Sequence, residues 1–302
     1  MYTVIAVVGA LLAALCFALG SVVQQSVARQ SGTGILRFRL LLGLVRQPRW
    51  AIGVLLAAGS FAIQGVALAF GPLTLVQPLA ATDVLFALPL IARRNQRRLT
   101  RQDTAGALLI TAGIVVFLTV SPPASGLATP SLTDWLPTIV AVAVVTGGSA
   151  VAAVRVTGYA RVIWLAAASG CLYGLLDALT KSSVDLAAAD GLGVLTTWEP
   201  YALAVTAMVG TLFGQSAFRA GPLSLSLPVI DSVEPVTAVV IGATVFGERL
   251  ASSPALQAVQ LAGGLVAIIG IFVMSRSSVV RTEAVTQANS VAERRDAAAR
   301  VG

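Results

Sequence analysis

The stretch AFGPLTLVQPLAATDVLF, residues 69–86, is answered 150 residues later by AGPLSLSLPVIDSVEPV, residues 220–236. Gly71-Pro72-Leu73 returns as Gly221-Pro222-Leu223, Leu75 as Leu225, and Pro78 as Pro228. The same offset holds without a gap into the next apolar segment, where Ala112-Gly113 returns as Ala262-Gly263 and Val116 as Val266. One repeated tripeptide would carry little. A constant register across two successive apolar segments marks an internal repeat of the kind transporter folds contain. The first segment has a counterpart as well, since Cys16-Phe17-Ala18-Leu19-Gly20 parallels Cys171-Leu172-Tyr173-Gly174.

These repeats lie in a chain of 302 residues that is 57% hydrophobic and only 11% charged. Soluble domains are about one quarter charged, so a water-soluble fold of this length could not cover itself. Lipid demands that backbone polar groups be satisfied within each segment, and the apolar runs are far too long for barrel strands. The expected class is all-α integral membrane. Nine stretches are long enough to cross roughly 30 Å of hydrocarbon: about 2–26, 50–70, 72–92, 103–120, 135–154, 160–180, 198–218, 222–246 and 254–274. Residues 34–45 (GILRFRLLLGLV) are apolar but short and carry Arg37 and Arg39. They read as an interfacial amphipathic helix, with a tenth span as the alternative. Trp50, Trp135 and Trp198 stand at span starts and Trp164 near another, the interfacial position an amphipathic ring prefers. The apolar N-terminus lacks a basic leader region and reads as a first span rather than a cleaved signal.

Arginine placement sets the expected orientation. With nine spans and the N-terminus outside, all of the 20 basic residues except Lys181 and Arg249 face the cytoplasm. The net charge of +7 is therefore a topology signal, and no aromatic interleaving points to nucleic acid. The location expected is the plasma (inner) membrane, with the C-terminus cytoplasmic. Spans 1–4 (residues 1–120) form one repeat, span 5 (121–158) is the joint, and spans 6–9 (159–275) form the second repeat. Residues 276–302 make a polar cytoplasmic tail. A four-span repeat plus one linking span inserts the second copy upside down, the inverted arrangement of secondary transporters.

Histidine is absent and the two cysteines, Cys16 and Cys171, sit inside apolar runs as packing residues. That leaves no Cys/His metal cluster and no His-based triad, so neither an enzyme nor a cofactor is expected. The sharpest signal is intramembrane acid. Asp83 lies about eleven residues into the third span, and Asp231 and Glu234 nine and twelve residues into the eighth. At roughly 1.5 Å per residue they come to about 14–18 Å depth, near the midplane. A charge there costs roughly 2.5–3.5 kcal/mol by insertion scales and usually faces a cavity. Asp231 and Glu234 share a helix face at i, i+3. The group could bind a cation or share a proton; the bland alternative is that each acid is protonated and bonded to a neighbouring Ser, Thr or Gln.

Prolines sharpen this pattern. Pro78 and Pro228 free the carbonyls of Thr74 and Ser224, and Pro235 frees that of Asp231, so helix breaks are expected beside the acids. Gln77 lies between Pro78 and Asp83 and joins the candidate binding set. Asp177 and Lys181, spaced i, i+4, read as a gate or as a structural ion pair. Gln24, Gln25, Gln64 and Gln215 read as interhelical hydrogen-bonding groups, and Gly147-Gly148 and Gly263-Gly264 as close helix packing. Midplane aromatics are few: Phe86, Phe61, Phe213 and Tyr173 at most.

Across residues 1–275 the pattern resembles the drug/metabolite transporter superfamily. Val233-Glu234-Pro235 through Phe246-Gly247-Glu248-Arg249-Leu250 is similar to the helix end of its EamA-like branch. Residues 69–79 resemble the NIPA-type magnesium transporters instead. EamA-like members usually have ten spans, and Arg97-Arg98-Leu99-Thr100 stands where an acidic "ERLT" belongs, so a symmetric role for that loop is not implied. The resemblance implies alternating-access transport of a metabolite or drug, or of Mg²⁺ or another divalent cation. In the divalent case Asp83, Asp231 and Glu234 would be the oxygen ligands. Expected partners are a small-molecule or cation substrate and the lipid bilayer, with a homodimer left open. A lipid-linked sugar flippase, a membrane-embedded lipid enzyme and a passive receptor are weaker readings, the enzyme because no histidine or metal cluster stands at an interface.

Overall fold

The computed structural model describes residues 2–31, 34–70, 76, 79–96, 98–120, 130–247, 253–277 and 280–281. Among these residues all regular structure is helical and no strand occurs. Among the described residues eight helices are long and apolar enough to cross a membrane. They are α1 (Tyr2–Gln30), α3 (Pro48–Phe70), α5 (Arg101–Thr119), α6 (Leu132–Arg155), α7 (Gly158–Asp190), α8 (Glu199–Ala220), α9 (Leu223–Val245) and α10 (Pro254–Ser275). Between α1 and α3 runs α2 (Phe38–Val45), which at eight residues reaches about 12 Å and is far too short to cross. It buries Leu40, Leu41 and Leu44 and exposes Phe38, Leu42 and Val45. A 3-10 turn, Gly191–Thr196, links α7 to α8.

The expected third span, 72–92, differs. Pro72, Thr74, Gln77 and Pro78 lie outside the described residues. The chain turns at Ala81 and Thr82, and α4 (Asp83–Arg94) begins only at Asp83. Thr82 closes the turn by donating both its N–H (3.1 Å) and its hydroxyl (2.7 Å) to the Leu79 carbonyl. Hydroxyl-to-backbone bonds of this kind compete with the helix ladder. Asp83 therefore stands in a first helical turn rather than mid-helix, where unpaired N–H groups and the helix dipole favour an acid. At the other proline-marked helix the expectation of breaks is corrected: α9 runs unbroken through Pro228 and Pro235. Each ring removes one backbone donor without ending the helix.

Close pairs hold the bundle together. α1 packs along α3, α7 along both α8 and α9, and α5 along α10. The α5–α10 contact is backbone against backbone, since a Cβ on Gly113 would lie 2.6 Å from the Gly263 carbonyl oxygen. One on Gly263 would lie 2.8 Å from the Phe117 nitrogen. Gly147 and Gly148 depart from the packing reading, because nothing lies within 4 Å of the space their Cβ atoms would fill. Their helix α6 turns many valines outward, and lipid rather than another helix is the neighbour that length and composition call for. Trp135 also departs from expectation: it is fully buried, edge-on to Trp198 and to Phe246 at 5.6 Å each. Trp164 is exposed, as an interfacial ring should be.

Gln24, Gln25 and Gln215 do link helices. Gln215 on α8 donates to the Gln24 side-chain oxygen on α1 at 2.7 Å, and Gln24 donates onward to the Gly53 carbonyl on α3 at 3.2 Å. Gln25 donates to the Gly221 carbonyl at 3.4 Å. Such bonds average about 0.6 kcal/mol in membrane proteins. Gln24→Leu is accordingly expected to lower unfolding stability by about that amount in denaturant titration, a small effect because the partners find other donors.

Candidate functional site

A cavity of about 630 Å³ lies where the two halves of the chain face each other. From the first half it is walled by Phe17 on α1, Ser60, Phe61 and Gln64 on α3, Asp83 on α4, and Ile114 and Leu118 on α5. From the second half come Asp177 and Lys181 on α7, and Asp231, Glu234 and Pro235 on α9, with Phe246 just past its end. The three acids singled out in the sequence thus converge. Asp177, four residues before Lys181, joins them as a fourth carboxyl.

Asp83 is 3% exposed, and its carboxyl lies close to that of Asp231 across the interface between halves. Carboxylates offer acceptors and no donor, so two carboxyls bond to each other only when one carries a proton. One oxygen of each, Oδ2 in both cases, is buried without a hydrogen-bond partner. Asp83 is also anchored by the Val84 backbone N–H, an N-terminal helix donor. Glu234 is within electrostatic reach of Asp177 and of Asp83. The cluster is therefore one interacting group of acids fed from three helices.

Two glycines of α7 set the position of α9. A Cβ on Gly170 would stand 2.7 Å from the Ile230 carbonyl oxygen, and one on Gly174 2.7 Å from that of Glu234. Small residues at this spacing let backbones approach closely in membranes. Asp231 and Glu234 ride on the segment so held. Pro235 has no N–H, so the Asp231 carbonyl lacks its usual intrahelical donor beside the cavity.

The remaining expectations divide. Ser224 is buried near the start of α9 and does not line the cavity. Thr74, Gln77 and Pro78 lie outside the described residues. Among the midplane aromatics only Phe61 lines the cavity; Phe86, Phe213 and Tyr173 do not, while Phe17 and Phe246 do. Phe17 meets Phe61 edge-on at 6.3 Å. Lys181 places its Nζ 4.2 Å from the centroid of the Phe246 ring. Among the described residues, no three His, Cys, Asp or Glu side chains are arranged to hold a metal ion. The ligand set that Asp83, Asp231 and Glu234 would make for a divalent cation is not assembled here.

No protein-family model matches the chain, and no solved structure matches it. A protein of Corynebacterium glutamicum, described as uncharacterized, is 36% identical over 247 residues, covering 81% of this chain and 86% of that protein.

Proposed function

The chain belongs to the same family as that corynebacterial protein, and we propose that it is a secondary transporter of the drug/metabolite type, moving a small solute or cation by alternating access. The observation that carries this reading is the cavity, to which both halves of the chain contribute acids. A carboxyl pair able to share one proton, Asp83 with Asp231, is what a cargo would exchange against protons.

The inverted repeat is part of the proposal. The 150-residue offset relates Gly113 to Gly263 and Phe117 to Ala267. In the α5–α10 contact Gly113 meets Ala267, and Gly263 meets Phe117. Each residue touches the counterpart of the other, as a two-fold axis between inverted repeats requires. With residues 72–92 counted as a ninth crossing, the Arg-rich loops gather on one side, which we take as cytoplasmic. α2 then lies along that interface, its exposed Phe38, Leu42 and Val45 toward lipid.

A divalent cation, as in NIPA-type transporters, is the second reading, favoured by four carboxyls in one cavity. Against it stand apolar walls that a hydrated ion cannot use. The test is flux into proteoliposomes holding a pH dye or a Mg²⁺ dye, challenged in turn with amines, amino acids, sugars and Mg²⁺. Proton movement evoked by one solute and lost in Asp231→Asn/Glu234→Gln supports coupled transport. Dye-reported Mg²⁺ entry with the same dependence would favour the second reading. Silence across the whole set, in folded protein, overturns both.

A further inference from the structure

We propose that the cargo is an organic cation with a primary ammonium head and a short aliphatic body, and that Lys181 occupies its ammonium subsite between transport events. This deepens the transporter reading and rests on it.

The subsite is defined by a ring and a charge. Lys181 Nζ lies 4.2 Å above the Phe246 ring, well inside the range of cation–π attraction. Phe246 is 2% exposed and braced edge-on by Trp135, so the ring is a fixed platform and not a chance surface neighbour. Asp177 stands one helical turn from Lys181 and lines the same cavity, supplying negative charge beside the platform. A lysine side chain is itself a tethered butylammonium. The chain therefore displays, on its own wall, the head group that the ring and the acid recognise.

The rest of the cavity suits such a molecule and not a bare metal ion. Phe17, Phe61, Ile114 and Leu118 line it with hydrocarbon, which would stabilise an aliphatic body and offers nothing to a hydration shell. Asp83 and Asp231 line the same cavity, and the Oδ2 of each is buried without a hydrogen-bond partner. An ammonium leaving Phe246 for those carboxyls would displace the proton they share. Cargo and Lys181 compete for one position, so Lys181 sets the affinity.

The test is binding of n-butylammonium chloride to the purified full-length protein in detergent, read by tryptophan fluorescence because Trp135 touches Phe246. Lys181→Met keeps the stem and removes the charge. It is expected to bind butylammonium about tenfold more tightly than the native chain, the scale of one desolvated cation–π contact. Adding Phe246→Leu should reverse the gain, and n-butanol, with a similar chain but no charge, should show none. A Lys181→Met variant that is folded yet binds butylammonium no better overturns the proposal. So does one that gains affinity for Mg²⁺ instead. Flux separates this failure from that of the transporter reading. If sugars or Mg²⁺ still drive Asp231-dependent proton movement, only the cargo class falls. If no solute does, the reading beneath falls with it.

Discussion

Asp231→Asn is expected to cut proton-coupled flux on the order of a hundredfold, the low end of what a positioned proton acceptor contributes, while leaving the protein folded. The amide matches the carboxyl in shape but cannot release a proton. It also donates a permanent hydrogen bond to Asp83, so the pair no longer needs a shared proton to hold together. Thermal unfolding in detergent should move little, or upward, because a buried carboxyl has been replaced by a group that costs less to bury. Counterflow of labelled cargo, which needs no net proton movement, should survive better than gradient-driven uptake. Full retention of gradient-driven flux would sink the assignment of Asp231 as the coupling group. An equal loss of flux and of folded protein would point to a structural role instead.

Gly113→Leu is expected to be the most damaging single change away from the cavity. A Cβ there would stand 2.6 Å from the Gly263 carbonyl oxygen, with backbone atoms of Ala267 as near. Backbone cannot swing aside as a side chain does, so α5 and α10 must separate along the contact. Overpacking of well-filled interiors costs roughly 1–3 kcal/mol, and a leucine against backbone belongs at the upper end. The measurement is thermal unfolding, with Gly113→Ala expected to show the same sign at smaller size. Gly147→Leu is the control: nothing lies within 4 Å of its added carbon, and its unfolding should be unchanged. A Gly113→Leu protein as stable as native would mean that the α5–α10 contact is looser than described.

The helical class, most of the long apolar segments and the acids were legible in the sequence because apolar length and intramembrane charge are properties of single segments. Helix α4 is nonetheless shorter, and α7 longer, than expected. That α2 is too short to cross and that Asp231 shares a helix face with Glu234 follow from length and spacing, whereas the approach of Asp83 to them depends on the fold. A break near Asp83 was expected from Pro78, but its place at Ala81 and Thr82 was not legible: Thr82 gives its hydroxyl and N–H to the Leu79 carbonyl, a local competition that hydrophobicity does not register. Trp135 was misplaced for a related reason. A tryptophan at a span start prefers the interface unless other rings cover it, and Trp198 and Phe246 come from distant parts of the chain. Small residues were read alike, yet Gly113 meets backbone while Gly147 meets nothing. Which face of a helix is packed is decided by its neighbours. The wall formed by Phe17 and Phe246 escaped notice because both stand outside the acid-bearing stretch that drew attention. Asp177 and Lys181 were noticed, but as a gate or a structural ion pair, and only the fold puts them in one space with Glu234.

The length of α7 has a consequence for hydrophobic mismatch. At 33 residues it extends about 50 Å, against roughly 30 Å of hydrocarbon. Tilt absorbs part of such an excess, and Asp185 and Asp190 near its end favour water over lipid for the remainder. The helix is unbroken from Asp177 and Lys181 to Asp190, so it behaves as a stiff rod joining the cavity wall to its far end. A fluorophore or spin label at Asp190 would therefore follow displacements around Lys181 at a distance, without touching the cavity. An antibody fragment gripping that end would hold the rod still.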